Sequence, residues 1–431
     1  MKLRIFAIAL GFLMLPCQAQ YTESDIETLV EELEQVKGRL AELEQLRQRV
    51  RTLEARLEEA NRSVTSGSAT AEGMEKRDVA STSSAPEPEP PAIDIGGALR
   101  FTTFANGSVK GQRGKSGLDL FRLSADGSID NILLSAEYRF YPFMDTIHHG
   151  WLGYKFDDES QLQAGITRVP FGILPYASHN FWFGVPYYLG LSDDYDLGVK
   201  YVRPNGPWDL QLAFFKNSEL SNSADLGRYS YDVVSAGTAR NEETNQFNAR
   251  VAYTFGAGTT CSHEVGVSGQ WSELYNLDTE KRGDMWAAAT HLDTRCGRWN
   301  FQLEAARYDH NPVNPAGIGA NRIELGAFES LYDIAPTGTV GIANIAYNFP
   351  LSGDILNQLT CYNDYSVLYK DGGGDDSILN TTGCAIGIGP LFIYADLINA
   401  NNMVFFGNGS LAEGGEDDWD TRLNLNVGYY W

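Results

Sequence analysis

In the last ten residues, Arg422, Asn424 and Asn426 alternate with Leu423, Leu425, Val427, Tyr429 and Trp431. A period of two marks a strand with one polar and one apolar face. The same parity test places Arg100, Arg122 and Arg139 on polar faces. In 132–141, Leu134, Ala136, Tyr138 and Phe140 oppose Glu137 and Arg139. In 245–255, Phe247, Ala249, Val251, Tyr253 and Phe255 oppose Asn248, Arg250 and Thr254, and Lys200 is a sixth basic candidate. A row of such cations draws small anions; the plainer reading is that each pairs with a nearby Glu or Asp, and a wall charge can do both. Arg422, Arg100, Arg122 and Arg139 fall on stretches that become neighbours if the sheet closes, so they form one stripe.

Other residues that could do chemistry say less. Asp193, Asp194 and Asp196 end an aromatic, proline-containing segment from Pro170 to Tyr195 that carries Phe181, Trp182, Phe183, Tyr187 and Tyr188. A solvated loop is rarely so aromatic. Two placements keep its rings from water: folded into the interior, where the aspartates would oppose the arginines, or packed at a subunit interface. His148-His149 read as a solvated loop pair, and Gly372 to Asp376 lacks the ligand spacing of a calcium loop. No metal set, cofactor motif or nucleophile–base–orienter constellation stands out, so an enzyme is the least favoured class. Beyond Cys17 there are four cysteines, Cys261, Cys296, Cys361 and Cys384. Four cysteines allow three connectivities. The short rim turns near Cys261 and Cys296, and the symmetric placement of Cys361 and Cys384 about Gly372-Gly373, favour those two pairs over free thiols.

The elements that must position these residues are strands. Period-two stretches fall near 94–104, 118–129, 132–141, 151–156, 161–168, 196–202, 208–217, 245–255, 264–274, 284–293, 299–308, 337–348, 356–369, 378–388, 391–400 and 419–431. That is sixteen, with Ile323 to Tyr332 as a possible addition. Short turns form one rim and long connections (218–243, 309–336, 401–418) the other. An apolar strand at the end of a chain needs a closing partner, and an outer-membrane barrel supplies closure, lipid for one face and water for the other. The expected fold is all-β, a transmembrane antiparallel barrel over 93–431, with Leu425, Val427, Tyr429 and Trp431 as the signal read by the barrel-assembly machinery.

Three segments precede it. Lys2 and Arg4, the apolar run Ile5 to Leu15 and the small-residue site at Ala19 read as a signal peptide, 1–19; a lipoprotein signal on Cys17 is the rival. Residues 20–60 carry Ile26, Leu29, Leu33, Val36, Leu40 and Leu43 at steps of three and four, resumed at Leu46, Val50, Leu53 and Leu57. This is a coiled coil of roughly 55 Å, placed in the periplasm, and with one such helix per chain it implies an oligomer; a lone solvated helix is the alternative. Residues 61–92, rich in Ser, Thr, Glu and Pro, read as a tether without a core. A formal charge of −23 argues against nucleic acid as a partner.

The runs YRFYPF, GYKF, QAGITRVPFGILP and YYLGLSDDYDLGVKY resemble the outer-membrane porins grouped with the phosphate-selective porins, closest to coiled-coil-bearing dicarboxylate-type channels. The resemblance spans the barrel and implies a homotrimer in the outer membrane, without cofactor, passing small hydrophilic solutes, small organic anions among them. The runner-up is a structural anchor whose coiled coil spans the periplasm.

Overall fold

The computed structural model describes residues 92–107, 114–351, 355–407, 409–412 and 419–431. The expected signal peptide and coiled coil, and all of the tether but Ala92, lie outside them. Sixteen strands close into one antiparallel barrel. In chain order they are β1 (Ala92–Asn106), β2 (Lys115–Ile129), β3 (Ile132–Phe140), β4 (Asp145–Lys155), β5 (Gln161–Arg168), β6 (Tyr195–Asn205), β7 (Trp208–Ser218), β9 (Asn241–Phe255), β10 (Cys261–Asn276), β11 (Arg282–Cys296), β12 (Trp299–Asn311), β15 (Thr337–Asn348), β16 (Gln358–Lys370), β17 (Ser377–Ile388), β18 (Leu391–Asn401) and β19 (Trp419–Tyr430). The seam pairs β1 with β19, from Ala98 opposite Tyr430 to Asn106 opposite Arg422. Gly97 and Trp431 extend it with two backbone bonds of 3.1 and 3.3 Å.

The barrel is apolar outside and polar inside. Leu99, Phe101, Leu152, Leu212, Phe247, Val267, Leu303, Leu423 and Leu425 are exposed, while Glu137, Asn248, Gln302, Glu304, Asn344, Asp364, Asn424 and Asn426 are buried. Tyr154, Phe156, Trp208, Phe255, Trp299, Phe349, Tyr429 and Trp431 are exposed near the short-turn rim, where amphipathic rings suit a membrane–water boundary.

Two sequence expectations need correction. His148-His149 is not a solvated loop pair, because β4 begins at Asp145. The register with β3 passes from Glu137 opposite His149 to Tyr138 opposite Ile147, so His148 is the extra residue of a bulge. A bulge breaks the period of two, which hid this half of the strand. Both rings lie inside, joined Nδ1 to Nδ1 at 2.7 Å, with His149 Nε2 at 2.9 Å from the Ser135 hydroxyl. Ile323 to Tyr332 does not join the wall. Here β13 (Ile323–Ala327) and β14 (Ser330–Ile334) form a hairpin, and with β8 (Asp232–Val233) a three-stranded sheet among the long loops.

The connection Val169–Asp194 turns into the barrel instead of over it, and burial of its rings drives the turn. Tyr187 and Tyr188, in a 3-10 helix at Val185–Leu189, pack with Phe171, Phe215, Tyr231 and Leu368 in one apolar cluster.

Candidate functional site

The inward loop bonds to one side of the wall, on β9, β10, β12, β15 and β16. Asp364 of β16 accepts from the backbone N–H groups of His179 (2.6 Å) and Asn180 (3.1 Å), from the Asn180 side chain (2.8 Å) and from the His179 ring (2.7 Å). The second ring nitrogen of His179 meets Asn300 Oδ1 at 2.7 Å. Glu304 of β12 accepts from Ile173 N at 2.8 Å, Ser268 of β10 from Gly172 N at 2.9 Å, and Ser366 of β16 from Val185 N at 2.9 Å. Asn344 of β15 donates to Ala177 O at 3.0 Å. Burial opposes a charge on His179, but its bond to Asp364 and that carboxylate's charge outweigh it and raise the imidazole above its ordinary 6.5.

Among the described residues, four other strands, β19, β1, β2 and β3, bond no backbone of that loop, whose rings Phe181 and Trp182 only stack on their arginines. Between them and the loop lies a cavity of about 1090 Å³, lined from Gly389-Pro390 at the short-turn rim to Ser330 and Phe405 among the long loops. Arg100, Arg122, Arg139 and Arg422 all line it. Arg100 Nε meets Asp119 Oδ2 at 2.8 Å. Arg122 and Arg139, directly opposite in register, share Glu137 at 3.2 and 2.6 Å. Arg422 instead donates to neutral oxygens, Asn106 Oδ1 (2.7 Å) and Phe405 O (2.6 Å). Rings sit against these cations. Arg100 lies over Phe181 at 5.1 Å, Arg139 over Tyr229 at 4.5 Å, and Arg422 over Trp182 at 4.9 Å and Phe406 at 4.5 Å. Among the described residues, the charged side chains on the lining are these four arginines with Asp119 and Asp193, so positive charge is in excess there in a chain of net −23.

Lys200 and Arg250 are inward, as parity requires, but do not line the cavity. Lys200 donates to Arg168 O at 2.9 Å. Arg250 holds the loop at Gly172 O (2.8 Å) and pairs with Asp209 (2.7 Å) and Glu264 (2.5 Å). The expected acidic face opposite the arginines is corrected too. Asp193 lines the cavity, where it accepts from the Tyr229 hydroxyl at 2.6 Å and lies 3.5 Å from Arg168. Asp194 and Asp196 are buried away from it with Asp232. Burial, then the charges of Asp232 and Glu243, raise the Asp194 carboxyl well above its usual range. The surface facing the stripe is therefore aromatic. Sequence reading missed Asp364, Glu304 and Asp119: inward parity flags the first two without saying that they meet the loop, and Asp119 is the extra residue of a bulge in β2, off the parity of Arg122.

Cys261 and Cys296 stand opposite each other at the ends of β10 and β11, and Cys361 and Cys384 on β16 and β17; both pairs are disulfide-bonded. Leu425, Tyr429 and Trp431 face outward on the closing strand, and Val427 shares their parity.

No family model matches the sequence, and no curated protein does. Solved structures do match its fold. The outer membrane channel DcaP of Acinetobacter baumannii superposes with a TM-score of 0.54 at 11% identity, over 79% of this chain and 97% of that one. An anion-selective porin from Comamonas acidovorans gives 0.53 at 11% identity, over 79% and 100%. Outer-membrane expressed OmpT of Vibrio cholerae gives 0.50 at 15%, over 80% and 99%. The fold is that of the outer-membrane porins.

Proposed function

We propose that the protein is an outer-membrane porin through which small organic anions diffuse passively. The observation that carries this reading is the excess of arginine over carboxylate along a cavity that extends from one rim to the loops of the other. Arg422 is the strongest element of the stripe, because its partners are neutral oxygens. A carboxylate passing the arginine stripe exchanges water for guanidinium donors in turn, while rings of the loop accept its apolar body. The porin-like fold supports the outer-membrane setting, and an anion-selective porin shares it. The lining favours a channel over the structural-anchor alternative, since side chains of an inert plug would meet one another across the interior.

The remaining parts of the reading follow the sequence. Residues 1–19 direct export, 20–60 form a periplasmic coiled coil that gathers three chains, and 61–92 tether it to the barrel. The outward strand ending in Tyr429 and Trp431 is what the assembly machinery engages. Liposome swelling with purified protein tests the transport claim: a small monocarboxylate should enter faster than a neutral sugar of equal size. Equal rates would leave only size-limited diffusion.

A further inference from the structure

A second polar cluster lies off the lumen, where the inward loop rejoins the wall. One ligand oxygen each from Asp194, Asp196 at the start of β6 and Asp232 of β8 lie within 4.8 Å of one another. Two oxygens bound to one ion at calcium's ~2.4 Å bond length can be no farther apart than about that. Glu219 is adjacent. Its Oε1 accepts from Tyr229 N (3.1 Å) and Ser230 N (2.9 Å), and its Oε2 shares Arg228 with Asp232, at 3.7 and 3.1 Å. Glu243 of β9 lies within electrostatic reach of Asp194. Five carboxyl groups thus face one guanidinium. The nearby cations Lys216 and Arg240 are engaged elsewhere, with Thr244 and Asn245 and with Asp278.

An acidic cluster alone would not define a site; its unpartnered atoms do. Asp196 Oδ1 and Gln246 Oε1 are buried without a hydrogen-bond partner among the described residues, and Glu219 Oε2 has only the 3.7 Å approach of Arg228. Every one is an oxygen. Gln246 is not acidic, is 2% exposed, and its amide nitrogen donates to Asp196 Oδ2 at 2.8 Å. That bond holds the amide against the cluster, and its carbonyl oxygen is left without a donor among the described residues. Buried oxygens without donors cost folding free energy, and oxygen-only surroundings with excess negative charge match a hard cation.

We propose that Asp194, Asp196 and Asp232, completed by Glu219 and the Gln246 carbonyl, bind a divalent cation of calcium's size. The ligands come from the end of the inward loop, the long connection after β7, and strands β6 and β9. The ion would fasten the constriction to the loop layer. Sequence spacing hides the site because its ligands are scattered from 194 to 246.

Terbium, with calcium and magnesium as competitors, tests this on the full-length protein in detergent after treatment with chelator. Tyr195 and Tyr231, next in sequence to ligands, should sensitise saturable terbium luminescence that calcium displaces better than magnesium. Calcium should also raise the thermal unfolding midpoint. Asp232→Asn should weaken binding by roughly tenfold or more, as loss of a charged ligand does, and abolish the calcium-dependent midpoint shift; Asp194→Asn is the second variant should the first not fold. Absence of both responses in the unaltered protein, or their full retention in a folded variant, would overturn the site and leave shared protons as what neutralises these carboxyls. Neither outcome bears on transport through the arginine-lined cavity.

Discussion

The two halves of the barrel interior obey one rule and end differently. On both, outward residues are apolar and the charged residues point inward, among apolar ones such as Leu120 and Leu368. On β19, β1, β2 and β3 the inward arginines face a cavity. On β9, β10, β12, β15 and β16, Arg250, Ser268, Glu304, Asn344 and Asp364 are consumed by the backbone of the inward loop. An inward charge bonded to the loop backbone is a structural anchor, and one left on the cavity lining is the kind the proposed transport would use. Substitutions on the loop-bonded half should move stability, and those on the arginine half selectivity.

The largest effect is expected at Asp364. Changing it to Ala removes the acceptor shared by two backbone N–H groups and two side chains of the loop; Asn180 keeps Ser178 Oγ and Phe183 O, but His179 N–H and its Nδ1 are left without a partner among the described residues, and each buried orphan costs about 1–3 kcal/mol. The folded barrel should melt at lower temperature, and its conductance should become larger and noisier as the loop leaves the wall. A quiet channel of unchanged conductance would show that Asp364 does not hold the constriction. Arg250→Ala comes next. It leaves Asp209 and Glu264 without their shared partner, and removing one member of a buried pair costs about 3–5 kcal/mol, reduced here because both carboxylates are about one-third exposed. Thermal unfolding should register that loss while the reversal potential stays put. A selectivity change as large as its stability change would erase the distinction between the halves.

Arg422→Ser should do the reverse. A unit charge at ~4 Å in water is worth ~1 kcal/mol, so the anion-to-cation permeability ratio should fall about fivefold at low salt, with a smaller loss of stability than at Asp364 because no carboxylate is left unpaired. Arg100→Ser, which also frees Asp119, weakens stability more. The smallest expected effect is a pH dependence. Because the folded-state pKa of His179 is raised, its contribution is complete below about pH 6.5, its unfolded value, and is lost as pH rises through the folded value. Current noise should therefore grow toward alkaline pH, and His179→Asn should remove that trend.

Alternation revealed the sixteen strands of the wall, because they follow from a period of two over short range. It failed at His148, where a bulge inserts one residue. It also did not separate Arg250 and Lys200 from Arg422, since that depends on where a long loop lands across the barrel. The loop's aromatic content did indicate that it must be covered. That its rings, and not Asp194 and Asp196, would face the arginines depends on which side of its last turn is buried, and no local pattern records that.

The central claim is that the arginine stripe makes the channel anion-selective. The direct measurement is the reversal potential of the unaltered protein in a planar bilayer across a salt gradient at low ionic strength, where the Debye length of about 10 Å at 0.1 M leaves the stripe unscreened. The potential should have the sign of anion preference and should collapse toward zero near 1 M. A cation-selective potential, in keeping with the chain's net charge of −23, would contradict the account.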